Sequence, residues 1–357
     1  MTFDEVRCFE FEISRLCNAR CPLCTRTEIL DNPKMEDFPQ DFISLEQIKK
    51  VFDGYDLKNK HFRFNGAVGD PMTNPDIIPI LEYLHNQSSG NNTFEIHTNG
   101  GLRNTKFWED MGALTQRVKE KNSTMRVTFA IDGLEDTNHI YRVGVNYNEV
   151  ISNLKTFMVT GGTAVWAFIV FNHNQHQLED ARAYAKALGC SNFITVKAFR
   201  NIINDIDIKQ GGKHNFDDKT IAEYTKIRQQ LAKRNMLEMI VPEQPKQEKT
   251  DYTDDIKCFN VHDRTVYIMG GLTVWPCCMF YDDLLRKKPQ WLESLKQYGP
   301  HFNDLNHKTL KEILEGEFMS TIEQRWNMAN DTFTPACIKH CAGKGKFLHK
   351  NREWENL

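Results

Sequence analysis

The chain has 357 residues, of which 40% are hydrophobic and 26% are charged, and its formal net charge is −3. This near-neutral charge gives no indication of a nucleic-acid-binding surface or of a surface for anionic membranes. No apolar run approaches the ~20 residues of a transmembrane helix, and residues 1–7 contain acids instead of a hydrophobic signal segment. The length exceeds that of one usual core, which predicts a soluble main domain followed by a smaller one.

Short apolar runs alternate with helical periodicity between residues 5 and 200. The runs are nearly continuous and rich in β-branched and aromatic residues, which predicts strands that are covered on both faces. We expect strands at residues 7–13, 61–65, 93–98, 126–131, 164–171 and 193–196. Six strand–helix repeats predict a parallel sheet with right-handed crossovers, either doubly wound or closed toward a barrel.

Helix signals lie between the predicted strands. Ser44 followed three residues later by Gln47 predicts a capping box. Asn74 before Pro75 predicts a cap and a proline in the first turn. Gly189 predicts the end of a helix over residues 178–188. Candidate site residues fall just past several strand ends, which is where active sites lie in such folds.

The alternation stops after residue 200. Residues 201–257 are expected to hold a polar loop, a helix over 221–237 and a charged linker. A second unit then begins at Cys258. Its segment 264–276 is β-branched and aromatic around Gly270 and Gly271, which predicts a hairpin that brings Cys277 close to Cys258.

The ten cysteines are clustered, with three near the amino terminus and five between Cys258 and Cys341. In a chain of this length without a secretory signal, clustering predicts metal binding in a reducing cytoplasm instead of disulfides. Cys8 and Cys190 stand apart in apolar surroundings, and we expect both to be buried as small hydrophobic residues.

The first cluster is Cys17, Cys21 and Cys24, spaced C-x3-C-x2-C in what we call the cysteine loop (residues 17–24). Three thiolates at this spacing can reach one small metal centre, and soft thiolates select iron–sulfur clusters or zinc. A structural zinc site has four protein ligands, whereas three leave one position open. The sequence therefore indicates a reactive cluster.

This motif resembles that of the radical S-adenosylmethionine (radical SAM) superfamily, and later segments follow in the family's order. GAVGDP at 66–71 resembles the family motif GGEP, with Asp70 in place of glutamate. HTNG at 97–100 ends a later strand, and IDGL at 131–134 leads to YRVG at 141–144. The resemblance covers roughly residues 6–200. It implies an α/β fold, a partial (β/α)6 TIM-like barrel of the radical SAM type.

The resemblance also implies roles for individual residues. Cys17, Cys21 and Cys24 would hold three irons of a [4Fe–4S] cluster, whose fourth iron takes the amino and carboxylate groups of SAM. Gly69 and Asp70 would meet the SAM amino group. Arg142 would bind the SAM carboxylate through its guanidinium fork. Candidate contacts to the ribose, the substrate or the adenine are Asn99, Asp132 and Val170.

Each of these roles has a simpler structural alternative. Residues 69–71 also make a good Gly-Asp-Pro turn. Asn99 and Asp132 would serve equally as caps at strand ends, and an isolated arginine such as Arg142 is often a solvated surface residue. The family context is what favours the functional interpretation.

Four carboxy-terminal cysteines, at positions 258, 277, 337 and 341, resemble those of a twitch extension, the short form of the SPASM domain. In that small α+β domain a hairpin and a following helix bind one auxiliary [4Fe–4S] cluster. The segment from Gly271 to Cys277 resembles the G-x4-C element with one extra residue, so Cys278 is an alternative ligand to Cys277. Four cysteines also suit a structural zinc site. The predicted domains are residues 1–200, 201–257 and 258–357.

By resemblance, the chain is an oxidoreductase-like enzyme that receives an electron from a flavodoxin- or ferredoxin-like donor. It would cleave SAM to methionine and a 5′-deoxyadenosyl radical, which takes a hydrogen atom from the substrate. We expect peptide or protein modification, with a sugar, aminocyclitol or nucleoside as the alternative substrate. A non-catalytic iron–sulfur or zinc-stabilised protein is disfavoured, because a carrier needs no SAM pocket. We expect a cytoplasmic protein with no nucleic-acid or membrane partner.

Overall fold

The structure is a computed structural model that describes residues 1–31, 38–197, 258–280, 293, 295–323, 337 and 352–356. The strands are β1 (Cys8–Glu12), β2 (His61–Phe64), β3 (Thr93–Thr98), β4 (Thr124–Ala130), β5 (Ala164–Val170), β6 (Asn192–Lys197), β7 (Thr265–Met269), β8 (Thr273–Trp275) and β9 (Arg352–Asn356). The helices are α1 (Thr25–Leu30), α2 (Leu45–Phe52), α3 (Ile77–Asn86), α4 (Thr105–Val118), α5 (Asn138–Tyr141), α6 (Tyr147–Val159), α7 (Leu178–Leu188), α8 (Phe259–His262), α9 (Leu310–Leu314) and α10 (Glu317–Ser320). None of these described helices has the length and apolar character needed to span a bilayer.

All nine described strands lie in one sheet, in the order β8-β7-β1-β2-β3-β4-β5-β6-β9. Strands β1 to β6 pair in parallel with their sequence neighbours, each connected through helical segments. This arrangement confirms the expected partial (β/α)6 barrel. Because the strands are parallel, their carboxyl ends all reach the same edge of the sheet, where the cysteine loop begins.

One face of the sheet is covered by helices and forms the apolar core. The ring of Phe52 on α2 packs edge-on against Phe9 and Phe62, with centroids 5.1 and 6.2 Å away. Farther along the sheet, Trp108 on α4 packs against Phe129 of β4 at 5.2 Å. Since successive strand side chains point to opposite faces, the residues between these aromatic positions point away from the helices.

That opposite face, which we call the inner face, carries charges instead of apolar side chains. The strand register aligns Glu10, Arg63, Glu95 and Arg126 in one row across β1 to β4. Glu95 accepts hydrogen bonds from His61 (3.1 Å), His97 (2.9 Å) and Arg126 (3.1 Å). Burial opposes ionisation, but these partners hold the pKa of Glu95 well below its usual range. The partners around Glu95 stay partly exposed, whereas Glu95 itself is buried.

Two of the predicted helix signals are confirmed and one is wrong. The Ser44 hydroxyl accepts from the Gln47 amide at 3.3 Å, and the Gln47 side chain accepts from Ser44 N–H at 2.8 Å. Gly189 ends α7 with φ of 89°. Asn74 does not cap α3, which begins at Ile77. Its Oδ1 accepts from the Asp76 amide just before the helix at 2.8 Å, and its Nδ2 donates to two buried carbonyls, which need partners away from water.

The predicted hairpin is confirmed as the antiparallel pair β7–β8. It also extends the barrel sheet, because β7 pairs in parallel with β1 along its full length. The Tyr267 hydroxyl of β7 donates to the Glu12 carboxylate of β1 at 2.9 Å. The domain boundaries at residues 200 and 258 stay predictions, and the expected helix over 221–237 lies outside the described residues.

Candidate active site

The cysteine loop connects β1 to α1 at the carboxyl edge of the sheet. Cys21 is buried, whereas Cys17 and Cys24 are partly exposed. Hydrogen-bond donors point at two of the sulfur atoms: Asn99 Nδ2 lies 3.7 Å from Cys17 Sγ, and Arg142 Nη1 lies 3.8 Å from Cys21 Sγ. Burial raises the pKa of Cys17 to about 12 and that of Cys21 to about 11. A bound metal centre is what would keep these thiols ionised.

The spacing of the three sulfur atoms tests which metal centre fits. Thiolates around a single tetrahedral zinc lie about 4 Å apart, because Zn–S bonds are about 2.3 Å long. The Sγ atoms of Cys17, Cys21 and Cys24 are not all within 4.8 Å of one another. In a [4Fe–4S] cluster each thiolate binds a different iron, which requires a wider separation. Three soft thiolates, one fewer than the four ligands of a structural zinc site, are the donor set of a cluster with one open position.

The loop at 66–70 packs directly against the chain that leads into the cysteines. A Cβ atom at Gly69 would lie 1.8 Å from the Ser14 carbonyl oxygen, so no larger residue fits there. Beneath the loop, the fully buried Glu12 carboxylate accepts from the Ala67 amide at 2.7 Å and the Val68 amide at 3.3 Å. Burial raises the pKa of Glu12 to about 8, although these bonds oppose the shift. Sequence reasoning missed Glu12.

Asp70 is buried and surrounded by donors from two elements. Its carboxylate accepts from the Met72 amide at 2.9 Å, from the Thr98 hydroxyl at 2.8 Å and from the Asn99 amide at 2.8 Å. Burial raises the pKa of Asp70, and the hydrogen bonds oppose that shift. A carboxylate offers about four acceptor positions, so one remains for a ligand donor. Asp70 thus fixes the end of β3. Thr98, like Glu12, is a residue of this region that sequence reasoning missed.

Arg142 is not a surface residue. Its Nε donates to Asp132 Oδ2 at 2.6 Å, with 15% of the arginine side chain and none of the aspartate exposed. Burial raises the pKa of Asp132, whereas the charge of Arg142 opposes that rise. Asp132 Oδ1 accepts from the Ile169 amide at 2.6 Å. This pairing leaves the outer fork of Arg142, between Nη1 and Nη2, beside the Cys21 sulfur.

The remaining predicted residues lie at the same edge of the sheet. Asn99 Nδ2 donates to Asn18 Oδ1 in the cysteine loop at 2.8 Å. Val170 is the half-buried last residue of β5 and follows Ile169, whose amide contacts Asp132. The structure therefore connects the cysteine loop to Asn99 and Arg142 directly, and to Asp70 and Asp132 through one further contact.

The carboxy-terminal cysteines form a second group, of which three are described and Cys341 lies outside the described residues. Cys277 follows β8 and is buried. Burial raises the pKa of its thiol, and the nearby thiols of Cys258 and Cys337 raise it further. Cys278 has a different environment. Burial is the largest cause that raises the pKa of its thiol, and the negative charge of Glu10 on the inner face is the second largest. The side chains of Cys277 and Cys278 thus lie near different neighbours.

Comparison with known families concerns the segment that carries the first of these two sites. The sequence matches the Radical SAM superfamily over residues 11–185, a segment that contains the cysteine loop, Gly69, Asp70, Asp132 and Arg142. Residues 11–185 are a radical SAM domain. No curated protein matches the chain.

Solved structures share the fold of this radical SAM domain. Native anSMEcpe with bound AdoMet gives a TM-score of 0.53 at 13% identity, covering 98% of this chain and 93% of that chain. Native anSMEcpe with bound AdoMet and Cp18Cys peptide gives 0.52 at 14% identity, covering 98% and 92%. Streptococcus suis SuiB bound to precursor peptide SuiA gives 0.48 at 12% identity, covering 92% of this chain. This chain spans only 65% of that SuiB chain.

Conservative substitutions at Asp70 and Arg142 test their predicted contacts to SAM. We expect Arg142→Lys and Asp70→Asn each to weaken SAM binding roughly tenfold to hundredfold while iron content stays unchanged. A charge-assisted hydrogen bond contributes about 1.5–3 kcal/mol, and lysine keeps the charge beside Asp132 but lacks the fork. Equilibrium SAM binding to the anaerobically reconstituted protein measures the effect.

The matched control is Arg126→Lys, since Arg126 also pairs with a carboxylate, at the inner face. Its SAM affinity should equal that of the unaltered protein. Unchanged affinity in both test variants would remove Asp70 and Arg142 from the SAM site.

Proposed function

We propose that this chain is a radical SAM enzyme that cleaves SAM reductively and removes a hydrogen atom from a peptide substrate. The bound [4Fe–4S] cluster and SAM supply the electron transfer and the 5′-deoxyadenosyl radical. The observation that carries the proposal is the convergence, at one edge of the sheet, of three cysteines with Arg142 and with a glycine that accepts no side chain.

The residues of the chain bind and orient the cofactors in this proposal. The three cysteines would hold the cluster, and the guanidinium fork of Arg142 would bind the carboxylate of SAM. Tyr141 and Phe171 cover this region, with ring centroids 4.5 Å apart and both residues buried. Such apolar cover excludes water, which protects a reactive radical from side reactions.

The inner face is the proposed floor of the substrate site, because it lies on the concave side of the barrel below the carboxyl edge. The peptide class is supported by the fold that the chain shares with anSMEcpe, whose structure holds a peptide. A second candidate is a small polar molecule such as a sugar, aminocyclitol or nucleoside. The row of charged and imidazole groups on the inner face favours it, since these groups form directional hydrogen bonds.

A second [4Fe–4S] cluster is proposed in the carboxy-terminal unit, held by Cys258, Cys277, Cys337 and Cys341. The three described thiols are near enough to affect one another electrostatically. Their Sγ atoms are not all within the 4.8 Å of a single-ion site, which supports a cluster over zinc. This second cluster would transfer electrons or stabilise the fold. A cytoplasmic flavodoxin- or ferredoxin-like donor would reduce the first cluster.

Deuterium transfer tests both the activity and the substrate class. The anaerobically reconstituted enzyme is given SAM, reduced flavodoxin and either a perdeuterated peptide digest or a perdeuterated pool of sugars, aminocyclitols and nucleosides. Mass spectrometry then follows deuterium in 5′-deoxyadenosine. We expect label from the peptide pool. Label from the small-molecule pool alone would favour the second candidate, and no 5′-deoxyadenosine under any condition would contradict the enzyme proposal.

A further inference from the structure

Three potential metal ligands meet in a loop remote from the cysteine sites in sequence. They are His301, Asp304 and His307, which lie on the chain before α9. The Nδ1 atoms of His301 and His307 lie 3.2 and 2.9 Å from Asp304 Oδ2. The two imidazole rings stack, with centroids 3.6 Å apart and planes 20° from parallel. In the described part of the chain, this is the group whose ligand atoms all lie within 4.8 Å of one another.

The two Nδ1–Oδ2 separations match those of neighbouring ligands around a single small cation, although the near-parallel imidazole rings must turn for both Nδ1 lone pairs to point at one ion. Zinc binds imidazole nitrogen and carboxylate oxygen at about 2.0–2.2 Å, so neighbouring ligands in a tetrahedral site lie about 3.3 Å apart. We propose that His301, Asp304 and His307 bind one divalent transition-metal ion of the zinc class, with water completing the coordination. Two imidazoles and one carboxylate are a donor set that suits zinc and its first-row neighbours.

Asp304 is held in place for this role by the residues around it. Its other carboxylate oxygen, Oδ1, accepts from the Asn306 amide at 2.8 Å and from Asn306 Nδ2 at 2.9 Å. These bonds orient the carboxylate so that Oδ2 faces both histidines. Hydrogen bonds of this kind commonly fix the first ligands of a metal site.

The site is also accessible to an ion from solution. The side chains of His301 and His307 are 48% and 54% exposed, whereas that of Asp304 is 19% exposed. An open side allows water to complete the shell. The short spacing H-x2-D-x2-H places all three ligands within seven residues. The site therefore needs no contribution from distant parts of the chain.

The loop that carries these ligands is attached to the β7–β8 hairpin. The Leu305 amide donates to the Leu272 carbonyl at 2.9 Å, and Asn306 Nδ2 donates to the Gly271 carbonyl at 3.1 Å. Asp304 itself forms an isolated bridge with Thr273 of β8. A metal ion here would brace the outer side of the hairpin that ends just before Cys277.

The competing explanation is that Asp304 merely accepts hydrogen bonds from two surface histidines. A matched control for that case lies in the same unit: exposed His262 donates from Nδ1 to Asp263 at 2.9 Å. This pair has the same contact without a third ligand. A hydrogen-bond role predicts that the two places behave alike toward metal, whereas a metal site predicts that only the three-ligand group binds.

The test uses the full chain with its clusters reconstituted and loosely bound metal removed. Zn²⁺ is titrated in competition with a chromophoric chelator, and Co²⁺ is added separately to record visible absorption bands. We expect one more Zn²⁺ per chain in the unaltered protein and in His262→Ala than in the double variant His301→Ala/His307→Ala. Asp304→Asn should weaken binding of this ion at least ~10-fold.

Cluster absorbance in each variant establishes that the protein remains folded. His307→Asn serves as a milder second variant and should also lose the Co²⁺ bands. Equal Zn²⁺ stoichiometry in the unaltered protein and the double variant would overturn the proposal. So would equal losses of Zn²⁺ in His262→Ala and in the double variant.

Discussion

Replacing Cys17, Cys21 and Cys24 together with alanine should remove one cluster and abolish SAM cleavage. Two [4Fe–4S] clusters per chain correspond to about eight irons, so iron should fall to about four per chain. The loss of activity should be complete, because the radical domain then has no group that can pass an electron to SAM. Iron and sulfide analysis with an assay of 5′-deoxyadenosine measures both effects.

Cys8→Ala with Cys190→Ala is the matched control. Both cysteines are buried as predicted, and burial raises the pKa of each to about 12, as expected of structural thiols. This double variant should keep both clusters and its activity. Unaltered protein that holds only about four irons after careful reconstitution would contradict the expectation of two clusters.

The second large effect concerns the carboxy-terminal cluster, in protein that already lacks the first one. Four single variants carry alanine at position 258, 277, 337 or 341. Each of them should abolish or alter the remaining cluster. Cys278→Ala should leave it intact, because the Cys278 thiol lies near Glu10 while the Cys277 thiol lies near Cys258 and Cys337. Iron content and electron paramagnetic resonance of the reduced cluster provide the measurements.

The neighbouring cysteines serve as controls for each other. Loss of the cluster in Cys278→Ala, with a normal cluster in Cys277→Ala, would show that the ligand is one residue later than we propose. Zinc in this site after anaerobic expression with ample iron would exclude an electron-transfer role. The carboxy-terminal unit would then be a structural cover.

The features that could be predicted from the sequence are those that depend on residues close together in the chain. Strands β1 to β6 lie within two residues of their expected ends, since β-branched and aromatic runs are a local signal. Ser44 was identifiable for the same reason, because a capping box involves residues only three positions apart. Asn74 has an equally good local signal, but the helix starts at Ile77 with Asp76 at its N-cap position, and Asn74 Nδ2 donates to two buried carbonyls from elsewhere in the chain.

Long-range polar contacts were not predictable from one sequence. Glu12 is the last residue of β1, and nothing local indicates that it supports the loop at 66–70 or accepts from Tyr267. Likewise, the family resemblance singled out Asp132 and Arg142 separately, but their ion pair depends on the turn between them. The ambiguity between Cys277 and Cys278 was not resolvable locally either, because it depends on which distant residues lie beside each thiol.

The pairing of β7 with β1 has a consequence for biosynthesis. Strand β1 and the cysteine loop leave the ribosome early, but one edge of β1 stays unpaired until β7 has been made. Glu12 likewise lacks its hydrogen-bond donor Tyr267 during this interval, because the two residues are 255 positions apart in the sequence. Exposed strand edges in a growing chain invite mispairing and chaperone capture. Iron delivered during translation would thus reach the cysteine loop before its neighbouring strand exists, so we expect productive cluster loading to follow the synthesis of β7.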